Sequence, residues 1–348
     1  MSSTAQPPAA TGAVEVVDAG VAGASGIDRS SRAASAVTRL GAVSYLNTRP
    51  LVYGLEADRR FLVRFDVPSR CAELLEAGAI DLGLIPSFEY ARHAPHNRTG
   101  EQASPEFLRS AALDAGGLAE DSSSNAGASA NAGAFADDLA DHLADYLIVP
   151  HVAIASTHAV DSVAMFTRRP IRDIRRVALD TSSRTSANLL RLLCAAWFRI
   201  QPEFVSAPPD LDRMLQHADA ALLIGDPALF TDAAALGLEK VDLGATWREM
   251  TGLPFVWAFW AGRRDAASPD VCRALAETRD RGIPEIDRIA AAFAPDDAAR
   301  ARKVARYLRE SIAYELDGEF EAGLRTYYAL LHEHGLLPAA AEPRFFPA

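Results

Sequence analysis

Val43-Ser44-Tyr45-Leu46-Asn47-Thr48-Arg49-Pro50-Leu51 is the stretch on which the reading of this chain turns. Residues 40–43 before it are an apolar run of strand type, and residues 50–55 after it read as the first turns of a helix reaching to about residue 57. Between them stand small polar side chains, Ser44, Asn47 and Thr48, at the carboxyl end of the strand. In an open α/β sheet ligands bind at that end, because the chain leaves the strand there and unpaired N–H groups of the next helix point outward. A capped turn explains the same residues without a ligand, since Asn or Thr suits an N-cap and Pro suits the first turn. Local chemistry leaves both readings open.

The pattern continues outward. Residues 61–67 read as a second strand. Ser69 then suits the cap of a helix with Cys71, Leu74 and Leu75 on its apolar side and Gly78 as its stop. Residues 81–85 form a third, mostly apolar run, fit for a sheet covered on both faces. Strands alternating with helices predict a doubly wound α/β lobe. The third strand leads into Gly83-Leu84-Ile85-Pro86-Ser87-Phe88-Glu89-Tyr90-Ala91-Arg92, which puts Ser87 at a strand's carboxyl end, on the side of Ser44 and Asn47. An N-cap is the plain alternative for Ser87. Glu89 reads as a first-turn residue favoured by the helix dipole in preference to a base.

Residues 1 to about 37 are rich in Ala, Gly, Ser and Pro without periodicity and read as a disordered tail. Residues from about 95 to 145 have a similar composition and read as a flexible inserted loop, with a short helix at 135–143. His93, His96 and His142 show no ligand spacing and are expected on the solvated surface. Order returns at 146–156, followed by 160–166, a strand expected to cross from a first lobe to a second and entered at Ser162. His158 invites a role as base, but nothing in its surroundings specifies one.

The second lobe is marked by Val177-Ala178-Leu179-Asp180-Thr181-Ser182-Ser183-Arg184-Thr185-Ser186. A strand ends at Asp180 and a helix starts near Ser183, with Leu190, Leu193, Cys194 and Trp197 spaced as one apolar face. Hydroxyls and free N–H groups at a helix start suit an anion, and Arg184 suits a bidentate carboxylate contact. A Ser/Thr cap beside a solvated Arg is the bland account. Pro208-Pro209-Asp210-Leu211 starts another helix, and the apolar run 220–224 leads to Gly225-Asp226-Pro227. Capping explains Asp226 fully, though it also suits a cleft wall. Residues 255–261 read as a strand returning to the first lobe. Ser268-Pro269-Asp270 opens a helical end, near 269–281, 284–293, 297–313 and 318–334, the last with a stripe of Phe320, Leu324, Tyr327 and Leu331.

Bulk properties bound the function. A chain of 348 residues suggests two domains, and 49% apolar residues suffice for a core. No run approaches the ~18 apolar residues of a membrane span. The first 36 residues lack a basic start and an apolar run, so no secretory signal is expected and the protein reads as cytoplasmic. A net charge of −11 argues against nucleic acid as a partner. Cys71, Cys194 and Cys272 lie far apart in apolar helical patterns, which favours buried thiols over a metal or redox site.

Ser44-Tyr45-Leu46-Asn47-Thr48-Arg49-Pro50-Leu51 resembles the start of the chorismate dehydratases of the futalosine route to menaquinone. Gly83 to Tyr90, Asp180 to Ser186, Leu222-Leu223-Ile224-Gly225-Asp226-Pro227-Ala228-Leu229 and Thr251 to Val256 are similar to further motifs of that family. The likeness is close over about 38–95 and 146–265 and looser at the helical end. Residues 157–160 depart from the family's usual Gly-Pro turn. The resemblance implies a two-lobed, type II periplasmic-binding-protein-like fold, with lobe 1 from 38–160 plus 255–348 and lobe 2 from 161–254. It implies that chorismate loses water to give 3-[(1-carboxyvinyl)oxy]benzoate in the cleft, without metal or cofactor, as monomer or homodimer and without a membrane partner. Asn47, Ser87 and Ser162 are the expected catalytic residues. Ser44, Tyr45, Thr181, Ser183, Arg184, Thr185 and Asp226 are expected to bind substrate. The proton acceptor stays open between the substrate's own carboxylate, Glu89 and Asp226. The rival readings are a non-catalytic solute receptor and the sister enzyme acting on cyclic dehypoxanthinylfutalosine.

Overall fold

A computed structural model describes residues 37–94 and 146–347. The tail, the helix at 135–143, His96, His142 and nearly all of the insertion lie outside the described residues. The strands are β1 (Thr38–Val43), β2 (Phe61–Asp66), β3 (Leu82–Pro86), β4 (Tyr146–Ser156), β5 (Val163–Thr167), β6 (Arg176–Asp180), β7 (Glu203–Ala207), β8 (Ala220–Ile224), β9 (Glu239–Asp242) and β10 (Phe255–Arg263).

They form two five-stranded sheets ordered β2-β1-β3-β10-β4 and β7-β6-β8-β5-β9. The two orders are one topology used twice. In the first sheet β1 runs parallel to β2 and β3, while β10 lies antiparallel between β3 and β4. In the second, β6 runs parallel to β7 and β8, while β5 lies antiparallel between β8 and β9. Each antiparallel strand follows or precedes a crossing between the sheets, so the doubly wound pattern is completed in mixed sense. Strands inside the sheets are covered on both faces, and β3, β5 and β8 are buried along their whole length. That is why they read as unbroken apolar runs. β7 and β9 are edge strands with exposed or half-exposed residues, and their mixed polarity left them without a strand signal.

The helices are α1 (Pro68–Glu76), α2 (Ser87–Arg92), α3 (Arg184–Leu193), α4 (Leu211–His217), α5 (Gly225–Phe230), α6 (Leu243–Thr251), α7 (Pro269–Gly282), α8 (Ile286–Phe293), α9 (Ala298–Arg306) and α10 (Gly318–Glu333). Several depart from the sequence reading. The segment after β1 is 3₁₀ over Leu46–Val52 and again over Leu55–Ala57. Pro50 inside it withholds an N–H donor, and Gly54, at φ 80°, turns the chain left-handed between the two pieces. Ser69 is not the cap of α1. Val67 holds that position, Pro68 starts the helix, and the Ser69 N–H donates across to the Ser182 carbonyl at 3.1 Å. α3 is capped by the Ser183 hydroxyl and widens into a π turn at Cys194–Phe198; Trp197 beyond it stands 39% exposed instead of completing the apolar stripe. The three cysteines are free and buried.

The C-terminal helices brace both sheets. Phe320, Leu324, Tyr327 and Leu331 of α10 are all buried, as their spacing predicts. Tyr327 donates its hydroxyl proton to the Thr185 carbonyl at 3.1 Å, and Tyr328 to the Ser87 carbonyl at 2.8 Å. α7 closes on the 3₁₀ segment at Gly282, where an added Cβ would lie 2.0 Å from the Pro50 carbonyl oxygen.

That contact makes a testable case. Alanine is the better helix former, yet Gly282→Ala is expected to cost about 1–3 kcal/mol because backbone blocks the methyl group. Gly318→Ala, at a position with open space around it, is expected to leave stability unchanged or slightly higher. Urea unfolding midpoints of the two variants against the parent check both.

Candidate functional site

Two loops from opposite sheets meet along one polar seam. The Tyr45 hydroxyl donates to Ser182 Oγ at 3.1 Å, and the Ser182 hydroxyl donates in turn to Asp180 Oδ1 at 2.5 Å. The same carboxylate accepts the N–H groups of Ser182 and Ile224, at 2.9 and 3.3 Å, and so holds the turn after β6 in place. Leu46 N–H donates to Asp226 Oδ1 at 3.1 Å, and Phe88 N–H to Thr185 Oγ at 2.9 Å. Gly225, at φ 64°, lets the Tyr45 ring lie where a Cβ would be only 2.8 Å away.

The seam's charged element is Glu89. Its carboxylate is fully buried, with Oε1 3.0 Å from Arg184 Nη1 and Oε2 2.8 Å from Arg92 Nη2. Burial would raise its pKa, but the charges of Arg92 and Arg184 outweigh it and hold the group below the usual carboxylate range. Beside it His93 is buried, not solvated as its sequence context suggested. Its Nδ1 lies 2.8 Å from the Glu89 carbonyl oxygen, and its ring packs 5.5 Å from that of Tyr146.

A second focus lies around Asn47. Tyr307, at the start of a π turn over Tyr307–Ser311, donates its hydroxyl proton to Ser162 Oγ at 2.8 Å. Burial pushes the Tyr307 phenol upward, with the hydrogen bonds of Ser162 and Asn47 opposing it and the charges of Asp226 and Asp161 adding to it. Tyr307 therefore stands among three expected site residues drawn from separate stretches of the chain. Asn47 Oδ1 is buried and has no hydrogen-bond partner among the described residues.

The remaining expected residues distribute as follows. Ser87 is buried and donates to the Val256 carbonyl at 2.8 Å, so its hydroxyl fixes α2 to β10 and does not cap α2. Asp226 does not cap α5 either; its carboxylate crosses to the Leu46 N–H, and burial raises its pKa against that hydrogen bond and the charges of Arg49 and Arg300. Ser183 caps α3, accepting from Ser186 N–H at 3.4 Å. Ser44 and Thr181 are exposed at the mouth of the two loops. Arg184, expected to meet a carboxylate of a ligand, meets the carboxylate of Glu89. Tyr45 is half-buried, and burial pushes its phenol up to about 12 despite the Ser182 hydrogen bond. His158 is exposed and outside this network. Sequence reasoning passed over Tyr307, whose only signal is a buried aromatic in a helical run, and Asp180, which it used only as a strand terminus.

Two concavities lie elsewhere. One, of about 680 Å³, is lined by Arg168, Arg169, Arg175, Arg176 and their acidic partners Glu203 and Asp219. The other, of about 610 Å³, lies along β7 and α4. Neither contains an expected site residue. No helix among the described residues is long and apolar enough to cross a membrane.

Comparison with known proteins agrees with this layout. A curated chorismate dehydratase of Thermus thermophilus is 28% identical over 324 residues, spanning 88% of this chain and 98% of that protein. Protein AF1704 of Archaeoglobus fulgidus superposes with a TM-score of 0.57 at 17% identity, over 86% of this chain and 97% of that one. The periplasmic aliphatic sulphonate binding protein SsuA of Escherichia coli gives 0.52 at 18% identity, over 89% and 94%. These likenesses establish a periplasmic-binding-protein-like fold. Residues 38–99 and 138–333 match the model of a family described by menaquinone biosynthesis, and the chain belongs to that family.

Proposed function

We propose that this chain is a chorismate dehydratase, a hydro-lyase converting chorismate to 3-[(1-carboxyvinyl)oxy]benzoate and water. The observation that carries this reading is the likeness to the Thermus enzyme, which runs nearly the length of both chains. The seam supports it with Asn47 Oδ1 as an unpartnered buried acceptor beside hydroxyl groups, suited to a small polar ring.

In the reaction a proton leaves the ring carbon that bears the ether, its electron pair enters the ring, and the neighbouring hydroxyl departs as water. Aromatisation drives the step. The protein's task is to hold one conformer, so that rearrangement and pyruvate loss do not compete. Asn47 and Ser162 orient the departing hydroxyl. The N–H groups at the start of α3 face a carboxylate, a dipole contribution of ~0.3–1 kcal/mol. Arg184 adds less than a solitary Arg would, because Glu89 already shares its charge.

On this reading the proton goes to the substrate's own enolpyruvyl carboxylate, which passes it on to the departing hydroxyl, so that water leaves and the carboxylate is restored. Glu89 is a poor base, since two guanidinium groups stabilise its ionised form. Asp226 has the better basicity, but its Oδ1 is engaged by the Leu46 N–H.

Purified protein incubated with chorismate is expected to show rising absorbance of the aromatic product; binding without turnover would identify a receptor, and no interaction with chorismate would sink the proposal. Glu89→Gln and Asp226→Asn are each expected to lower kcat only a few fold, whereas loss of turnover with intact binding in either would make that carboxylate the base. Glu89→Gln should also lose stability, by about 2–4 kcal/mol, a range set below that of a fully buried pair because Arg184 and Arg92 are 26% and 34% exposed. The sign with pH follows from the lowered pKa of Glu89. Its ionised contribution is complete above the unfolded value of about 4.3 and is lost as pH falls through the folded value. Stability curves of parent and Glu89→Gln should therefore converge in acid.

A further inference from the structure

The crossing into the second sheet is pinned at Asp161 and Ser162 by one turn of the C-terminal helices. Asp161 is not glycine yet sits at φ 62°, a left-handed backbone that neighbours must hold in place. Ser311, at the end of the π turn, donates its hydroxyl proton to Asp161 Oδ2 at 2.8 Å. Tyr307, at its start, donates to Ser162 Oγ at 2.8 Å. Lys240 Nζ donates to the Asp161 carbonyl at 2.6 Å, and the Asp242 carboxylate accepts the N–H groups of Val160 and Asp161. The Ser162 carbonyl accepts the Gly225 N–H at 2.7 Å, one residue before Asp226. A π turn that supplies hydroxyls to two successive residues of a strained crossing fits the association of such turns with functional sites.

We infer that Tyr307 is a positioning residue that makes Ser162 a donor toward the ring hydroxyl of the substrate; this rests on the dehydratase reading. A serine hydroxyl has one proton. Because Ser162 Oγ accepts the proton of Tyr307, its own proton is left to give, and no acceptor among the described residues takes it. Asn47, whose side chain also bears on the Tyr307 oxygen, keeps Oδ1 unpartnered. One donor and one acceptor around the same phenol are complementary to a neutral hydroxyl, which accepts from Ser162 and donates to Asn47. Such a pair rejects a ring lacking the hydroxyl, because both protein groups would stay unpaired. A departing hydroxyl gains most from the donor, since negative charge grows on its oxygen as the bond to carbon lengthens.

Tyr307→Phe removes only the phenolic oxygen. It is expected to lower kcat about 10- to 100-fold, with KM changed less than about threefold. A chorismate analogue lacking the ring hydroxyl, used as competitive inhibitor, should keep its Ki, so its disadvantage relative to chorismate narrows. Ser162→Ala should reproduce the loss of kcat, and the double variant should be no slower than the slower single one. A merely structural tyrosine would shift the melting temperature and leave kcat and the inhibitor preference alone, and that result overturns the inference. If Tyr307→Phe fails to fold, full activity in Ser162→Ala overturns it equally. A parent protein that leaves chorismate untouched removes both readings, whereas an active parent with an equally active Tyr307→Phe removes this one only.

Discussion

A chain that passes between two sheets along β5 and returns along β10 has little freedom in how those sheets face each other. Each crossing strand lies antiparallel beside the third strand of its sheet, so the loops that follow β1, β3, β6 and β8 are brought to a common seam. The small polar residues after those strands gain meaning from this closure. Taken singly, Asn47, Ser87, Ser183 and Asp226 each have a capping explanation. In the fold only Ser183 caps, and the others spend their polar groups on distant elements or leave one unpaired.

Polar contacts join the two walls of the seam, and one apolar cluster runs through both sheets behind them. A neutral hydrogen bond contributes about 0.5–1.5 kcal/mol net, because water competes for both partners when the seam parts. The links from Tyr45 to Ser182 and Phe88 to Thr185 are of this kind, while the Leu46 N–H meets the carboxylate of Asp226. The Glu89–Arg184 pair is stronger in attraction but carries the cost of burying a carboxylate. The rigid parts lie behind the seam, where α7 meets Pro50 with no room for a methyl group and α10 ties both sheets through Tyr327 and Tyr328.

What was legible in the sequence follows the range of the forces involved. Buried strands announce themselves by unbroken apolar runs, and Asp210 and Ser268 cap their helices as their positions suggest. Edge strands β7 and β9 owe their conformation to a neighbouring strand, which no local pattern records. Ser69 looked like a cap because a cap needs only a hydroxyl at the right place; Pro68, one residue earlier, took the helix start and turned the Ser69 N–H to Ser182. Glu89 looked like a dipole-favoured carboxylate, and that local reading stands beside a larger role supplied by Arg184, 95 residues away. Tyr307 showed only an aromatic in a helical run and no sign of a site role, since its partners Ser162 and Asn47 are far off in sequence.

The charges of the seam also bear on why an acidic protein would suit a dianion. Glu89 holds its negative charge between Arg92 and Arg184, and Glu76, 3.9 Å from Arg92, balances the second guanidinium where the Asp180–Ser186 loop turns. Burial disfavours the ionised forms of Asp180 and Asp226, which reduces the repulsion they would exert on a nearby carboxylate. An overall charge of −11 is spread over a surface screened within about 8 Å at physiological salt. Inside the seam the dielectric is lower and the nearest groups dominate. On the dehydratase reading, the same partly exposed arginine pair that stabilises Glu89 as an anion removes it as a base. On that reading the seam has given up Glu89 as a candidate for taking the proton. Under the proposed function, a carboxylate of the substrate is then left as the base.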